Sequence, residues 1–489
     1  MKKVVVIGAG LGGLSAACRL AREGYEVTVV EKNAGPGGKV NIVRAGGFSF
    51  DTGASLVTMM HVFEELFEYC GEGLSDHLQF VPLDPICRYF WQDGTTLDTS
   101  NDIKRTEKGI ASFAPEDAKA LAGYLEHSKR KYEIAERTFL SRSLNDLPKL
   151  LTPSNLPDLL RISSTRTLAS HNSKYFRSKK IRQLFDRYAT YNGSSPYKAP
   201  ATFALIPHVE FGLGAWYPKG GIYGIPSAIE ELARKMGVDF RYSEPAEEIV
   251  IENGRASAVR TSKGVLEADA VVANSDAVDT YRRLIPNEHR NSYSDEKLER
   301  IEPSCGGFVI LLGVRKKFEQ LAHHNIFFSE DYRSEFEAIF GSLTVPNDPT
   351  IYVCATSRTD PTQAPDGCEN LFILLNAPYT GVVDWDRESG PLAERVIATL
   401  EQFGLEGLQE SIVFRETITP EDFEARYRAN RGSIYGVSSN GILSAFMRFP
   451  NKAKDIEGLY FAGGTTHPGG GMPLVLLSGK MAAELIEKQ

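Results

Sequence analysis

Both ends of this chain carry the same grammar: an apolar run breaks into glycines and a helix-like run follows. At the N-terminus it reads Val4-Val5-Val6-Ile7-Gly8-Ala9-Gly10-Leu11-Gly12-Gly13, and near the C-terminus Leu459-Tyr460-Phe461-Ala462-Gly463-Gly464, continuing to Gly471-Met472-Pro473. A continuous apolar run suits a parallel strand buried on both faces. Gly8, Gly10 and Gly13 satisfy GxGxxG, which permits a tight turn, close approach of backbone to a pyrophosphate and close packing of helix on strand. Leu14–Arg22 reads as the helix whose N-terminus faces the phosphates. Val27–Val30 reads as the second strand, and Glu31 at its end suits ribose hydroxyls. Two such ends are expected to meet on one ligand, a dinucleotide.

The next segment separates FAD from NAD. Gly35-Pro36-Gly37-Gly38-Lys39 and then Thr52-Gly53-Ala54 form a second glycine cluster with a cation, where an NAD enzyme would continue into further βαβ units. A long flavin dinucleotide lying across the domain uses both clusters, with Lys39 as a point charge for the pyrophosphate. Lys32 and Leu11 join this set.

Composition bounds the rest. At 489 residues, 42% apolar and 24% charged, the chain reads as a soluble protein of about two domains. It has no apolar run long enough for a spanning helix. A formal net charge of −8 argues against nucleic acid. The cysteines are scattered without CxxC spacing, as expected of thiols in a reducing cytoplasm. His323-His324 has no cysteine or carboxylate at ligand spacing, so no metal is expected.

Glu31 through Gly53 resembles the two-glycine motif of flavin amine oxidases, carotenoid desaturases and Rab escort or dissociation-inhibitor proteins. The pair Gly47-Phe48-Ser49-Phe50-Asp51-Thr52-Gly53 and Thr466-His467-Pro468-Gly469-Gly470-Gly471-Met472-Pro473 is narrower and resembles the bacterial phytoene desaturase family. Asn274-Ser275-Asp276, Leu321–His324, Tyr332-Arg333 and Arg431–Gly436 resemble family segments in family order; Ala54 stands where the family often has proline.

The resemblance implies an α/β fold with a Rossmann-like FAD-binding domain, a mixed-sheet substrate domain and a helical insertion that docks on a membrane. The flavin domain is expected to be discontinuous, over 1–90, 212–290 and 415–489. The helical region is expected over 91–211 and the substrate sheet over 291–414. Gly463, Gly464, Gly471 and Met472 would hold the flavin ring, and Ala246 the adenine. A yellow enzyme is implied, peripheral to the cytoplasmic face of the membrane, with quinone or oxygen as electron acceptor. Asp84–Gly94, Tyr188–Tyr197 and Ser433–Asn440 are similar to desaturases acting at the 3,4 position of acyclic, often hydroxylated, carotenoids. Phytoene or C30 desaturase, terminal-methyl oxidase, carotene isomerase and a non-catalytic Rab-escort-like lipid binder remain as alternatives.

Within the helical region, Glu116–Arg137 is amphipathic, and Leu147–Leu168 reads as helices broken by prolines. Lys129-Arg130-Lys131, Arg161, Arg166, Arg177, Lys179, Lys180 and Arg182 make a locally basic stretch suited to anionic lipid or, equally, to plain solvated helix faces. Tyr89, Phe90, Trp91, Tyr188, Tyr191, Phe211, Trp216 and Tyr217 are either tunnel wall or ordinary core. Glu210, His208 and His467 are candidate proton acceptors, with helix surface, core histidine and turn histidine as their structural alternatives. No triad is expected, because a conjugated allylic cation lowers the need for a strong base.

Overall fold

A computed structural model describes residues 1–146, 165–441 and 448–488. The proline-interrupted stretch expected to be helical, including Pro148, Pro153, Pro157 and Arg161, lies mostly outside the described residues.

Five parallel strands form the first sheet, in the order Leu459–Phe461, Ala270–Ala273, Lys3–Ile7, Glu26–Val30 and Asp239–Arg241. The central strands read as apolar runs because both faces are covered; Val4 to Val6 are at most 2% exposed. Helix Leu11–Arg22 starts three residues earlier than the apolar spacing suggests, directly at the glycines. Helices Gly224–Lys235 and Met472–Glu487 pack beside it, so the last element of the chain lies against the first. Asn253 and Gly254, both at positive φ, turn strand Ala246–Glu252 back onto Arg255–Thr261, the hairpin their identities announce.

A seven-stranded sheet runs in the order Ile412–Ile418, Gly306–Val314, Glu369–Ala377, Ile351–Cys354, His324–Phe327, Cys87–Phe90 and Thr96–Thr99. It is mixed: His324–Phe327 and Cys87–Phe90 pair in parallel, while the other neighbours are antiparallel. Position along the chain assigns Cys87–Phe90 to the flavin segment and Thr96–Thr99 to the helices. Both instead extend this sheet, because Asn325 through Phe327 offer Arg88 through Phe90 a partner that local sequence does not reveal. One face of the sheet packs Phe308, Ile310, Leu312, Phe327 and Ile373 on the buried side chains of helix Trp385–Gln402. The other face turns Cys87, His324, Ile326, Tyr352, Phe372 and Leu374 toward an internal cavity.

Helix Pro115–Ala135 relaxes into a π-turn over Glu136–Leu140 and, with the turns and helices of 187–211, closes the cavity from the opposite side. Much of the basic stretch here is spent internally. Lys129 and Arg130 pair with Glu133 and Glu126 at 3.8 and 3.0 Å, Lys180 pairs with Asp93, and Lys131 is buried. No helix among the described residues is long and apolar enough to cross a membrane.

Candidate active site

The two glycine-rich ends meet. A Cβ on Gly12 would lie 3.0 Å from the Gly463 nitrogen and 3.1 Å from the Val475 oxygen, so only bare backbone fits where the first and last helices start. Asn274, at the end of strand Ala270–Ala273, sits between them. Its Nδ2 donates to the Ala462 oxygen at 3.1 Å, while its Oδ1 is buried without a partner beside Gly10 and Gly13. Sequence alone marks Asn274 only as part of a segment; the usable signal is a polar residue ending a buried parallel strand next to two glycine loops.

Glu31 is buried and accepts the Ala9 and Asn33 amides at 2.9 and 2.8 Å, one on each oxygen, leaving lone pairs for a ribose. Gly8, Gly10, Leu11, Gly12, Glu31, Lys32, Gly37, Gly38, Lys39, Thr52, Gly53, Ala54, Ala246, Gly463, Gly464, Gly471 and Met472 all line one cavity of about 590 Å³. Ala9 stands behind it through its bond to Glu31. Gly13 packs helix on strand, since a Cβ there would approach the Gly8 oxygen to 2.2 Å. A glycine cradle, an open carboxylate and an orphaned amide oxygen together fit a dinucleotide at helix N-termini.

Two cations depart from expectation. Two of the three Lys39 ammonium hydrogens are already engaged: they go to the Ser433 and Ile434 oxygens at 2.7 and 3.2 Å, which leaves one for a phosphate, and burial pushes the group down to about 8. Arg448 carries no motif and escapes sequence reasoning altogether. Its guanidinium donates to the Gly464 oxygen at 3.0 Å and to Ser439 Oγ at 3.3 Å, lines the cavity, and meets no carboxylate among the described residues. Burial pushes it down to about 10.

Beyond the glycines the same cavity runs along the sheet face. Glu210 is 1% exposed and lines it, but as half of an ion pair. Both its oxygens lie 2.9 Å from Arg187 Nη2, and Tyr191 donates to it at 2.6 Å. Arg187 also donates to the Tyr89 hydroxyl and lies over the rings of Tyr89 and Tyr188. Both carboxylate oxygens are thus already engaged by protein donors.

The two histidine candidates do not line the cavity. His467 is fully buried and donates from Nε2 to the Phe139 and Arg142 oxygens at 3.0 and 2.7 Å, which makes it a structural tie; burial pushes it down to about 4. His208 leans on Tyr132 and is lowered by burial. Of the eight aromatics, Tyr191 lines the cavity, whereas Tyr89 and Trp91 stack with Phe328 as core.

Strand register supplies what spacing does not: Cys354 stands opposite His324, and the ligand atoms of His323, His324 and Cys354 lie within 4.8 Å of one another. Burial holds both imidazoles neutral and raises the thiol, which disfavours the thiolate a metal needs.

Comparison with known proteins agrees with this geometry. Residues 11–487 match the family model described as flavin containing amine oxidoreductase. A 1-hydroxycarotenoid 3,4-desaturase of Flavobacterium sp. (strain P99-3) is 39% identical, covering 99% of each chain. A 4,4'-diapolycopene oxygenase of Methylomonas sp is also 39% identical, covering 99% of this chain and 98% of that one. Among solved structures, cyclohexylamine oxidase from Brevibacterium oxydans IH-35A shares the fold with a TM-score of 0.64 at 18% identity, covering 100% of this chain and 99% of that one. The dinucleotide that this cavity fits is therefore FAD, and the chain belongs to the flavin-containing amine oxidoreductase family of FAD-dependent oxidoreductases.

Proposed function

We propose that this enzyme desaturates a long acyclic carotenoid, introducing a 3,4 double bond into a 1-hydroxycarotenoid. The observation that carries the reading is the single cavity that joins the dinucleotide glycines to the apolar sheet face of Ile326, Phe372 and Leu374. Desaturation breaks two adjacent C–H bonds and forms one C=C. Bound FAD would supply the hydride acceptor, with a quinone or oxygen as the terminal oxidant. The chain holds the polyene in place and excludes water. Loss of hydride leaves a delocalised allylic cation, acidic enough to release its proton to a weak acceptor. Full-length similarity to a 1-hydroxycarotenoid 3,4-desaturase supports the substrate class.

Glu31 would hold the ribose, Ala246 would face the adenine, and Gly463, Gly464, Gly471 and Met472 would hold the ring. The substrate dissolves in bilayer, and we place the enzyme on the cytoplasmic face of the membrane as a peripheral protein.

The test is anaerobic incubation of holoenzyme with an acyclic 1-hydroxycarotenoid in liposomes. Flavin absorbance should bleach, and the product should be red-shifted and lighter by two hydrogens. A product heavier by oxygen would turn the reading toward terminal oxidation, and no spectral change would reject it.

Two further outcomes follow from the cations. Lys39 sits near 8 without a ligand, and an anionic pyrophosphate beside it would raise that value. FAD then binds the protonated form better, so affinity is held below about pH 8 and falls as pH rises from there to the raised value. Lys39→Met should flatten the dependence of FAD affinity, titrated by flavin fluorescence. Arg448→Met should lower the midpoint potential of bound flavin by about 30 mV or more, a tenfold effect for two electrons, because a buried cation near Gly464 favours negative charge on the ring. Arg448→Lys should lose less. Dye equilibration reads the shift, and an unchanged potential would remove Arg448 from this role.

A further inference from the structure

A cavity built only for hydrocarbon has no use for buried hydrogen-bonding groups. This one keeps several at the substrate side, away from the glycines. His324 is 3% exposed and lines the cavity, yet its Nε2 has no hydrogen-bond partner. Its Nδ1 lies 2.7 Å from the Tyr352 hydroxyl, which in turn lies 2.7 Å from Ser55 Oγ. The ring is therefore held at one nitrogen and open at the other. Burial, then His323, then Arg187 keep it uncharged, so Nε2 offers one lone pair or one hydrogen rather than a charge.

Arg187 is the second spare group. Nε and Nη2 serve Tyr89 and Glu210, and Nη1 donates to none of the described residues. The two residues share one neighbourhood. Tyr89, which Arg187 holds, stands opposite Ile326 in the parallel strand pair, and Ile326 is two residues from His324 on the same cavity-facing side. Glu210 is bound on both oxygens, so its task is to hold the guanidinium still.

We propose that Arg187 and His324 form a subsite for the oxygen of a hydroxylated substrate end, with Glu210, Tyr191 and Tyr352 as positioning residues. A hydroxyl is the group that answers both vacancies at once: it accepts from the cationic Nη1 and donates to or accepts from a neutral imidazole nitrogen. A carboxylate would gain from Arg187 but would face the buried Glu210 charge. A plain isopropylidene end would leave both groups unpaired in a dry site.

Placement agrees with chemistry. Ser55 follows Thr52, Gly53 and Ala54 in the turn that lines the dinucleotide part of the cavity, so the Ser55–Tyr352–His324 chain ties the oxygen subsite to the flavin side. A hydroxyl on C1 is only a few bonds from C3 and C4, and a site that grips it must lie close to where those carbons react. This subsite rests on the desaturase reading for the identity of its ligand, but not for its existence.

The test compares a 1-hydroxylated acyclic carotenoid with its unhydroxylated parent, both in liposomes, on full-length holoenzyme. Binding is read by quenching of flavin fluorescence and turnover by product mass. Wild type should favour the hydroxylated substrate by about 100-fold or more in kcat/KM, since a site built to bond a hydroxyl rejects the analogue lacking it. His324→Phe, and the paired change Arg187→Met with Glu210→Gln, should cut that ratio below about tenfold while turnover of the parent persists. The paired change removes both charges together and keeps the fold testable. Equal efficiency on both substrates in wild type, or equal losses on both in the variants, would overturn the subsite and leave the desaturase reading standing. Preferential binding without turnover would do the reverse, and binding of neither would reject both.

Discussion

Gly479→Val should yield a protein that purifies without flavin and has lost about 3 kcal/mol or more of stability. Gly479 lies in helix Met472–Glu487 where it crosses Leu11–Arg22. A Cβ there would stand 2.2 Å from the Gly12 oxygen, 2.8 Å from Ser15 Cβ and 3.0 Å from the Ala16 nitrogen. Two of those three are backbone atoms of a buried helix, so no side-chain rotation relieves the clash. The helices must part, and both helix starts that face the dinucleotide move with them. Ser15 Oγ donating to the Leu476 oxygen at 2.8 Å, and the Gly463 amide donating to Ser478 Oγ at 3.1 Å, would be strained by the same displacement. The control is Gly123→Ala, at an exposed helical glycine with nothing within 4 Å of a new Cβ. It should stabilise by about 0.5 kcal/mol through the unfolded state. Absorbance near the flavin maximum and denaturant unfolding read both variants. A yellow Gly479→Val of ordinary stability would mean that the two ends do not depend on close packing.

The meeting of the two ends is legible in the amino-acid order itself, and the reason is local. Val4–Gly13 and Leu459–Met472 each write strand, turn and helix start within fourteen residues, and only bare backbone serves at the turns. The Asn253-Gly254 hairpin is legible for the same reason. What escapes is every feature created by register or by distant elements meeting. Cys87–Phe90 carries no mark that it will pair with His324–Phe327. Cys354 comes beside the histidine pair only because the strands align His324 with it. Glu210 reads as a free acid because Arg187, 23 residues earlier, starts a separate 3-10 turn, and their meeting depends on how that turn folds back against helix Ile206–Phe211. Lys39 reads from its motif as a phosphate cation, yet two of its three hydrogens go to carbonyls of 433 and 434, nearly four hundred residues away. Arg448 has no motif at all: its meaning is that it is buried beside Gly464 with no acid among the described residues.

The ion pair that local sequence conceals should show the largest single-residue effect on stability. Arg187→Met removes the partner of a carboxylate that is 1% exposed. Breaking one side of a buried pair costs about 3–5 kcal/mol, because the remaining charge has neither water nor a counter-ion. Glu210 would keep only the Tyr191 hydroxyl at 2.6 Å. Arg187→Met should thus unfold well below wild-type denaturant concentrations at pH 8. Adding Glu210→Gln removes the orphaned charge and should recover more than half of the loss. Equilibrium urea unfolding of the four proteins forms the cycle. Additive losses would show that the pair is not energetically joined and that water in the cavity that Glu210 lines solvates its charge.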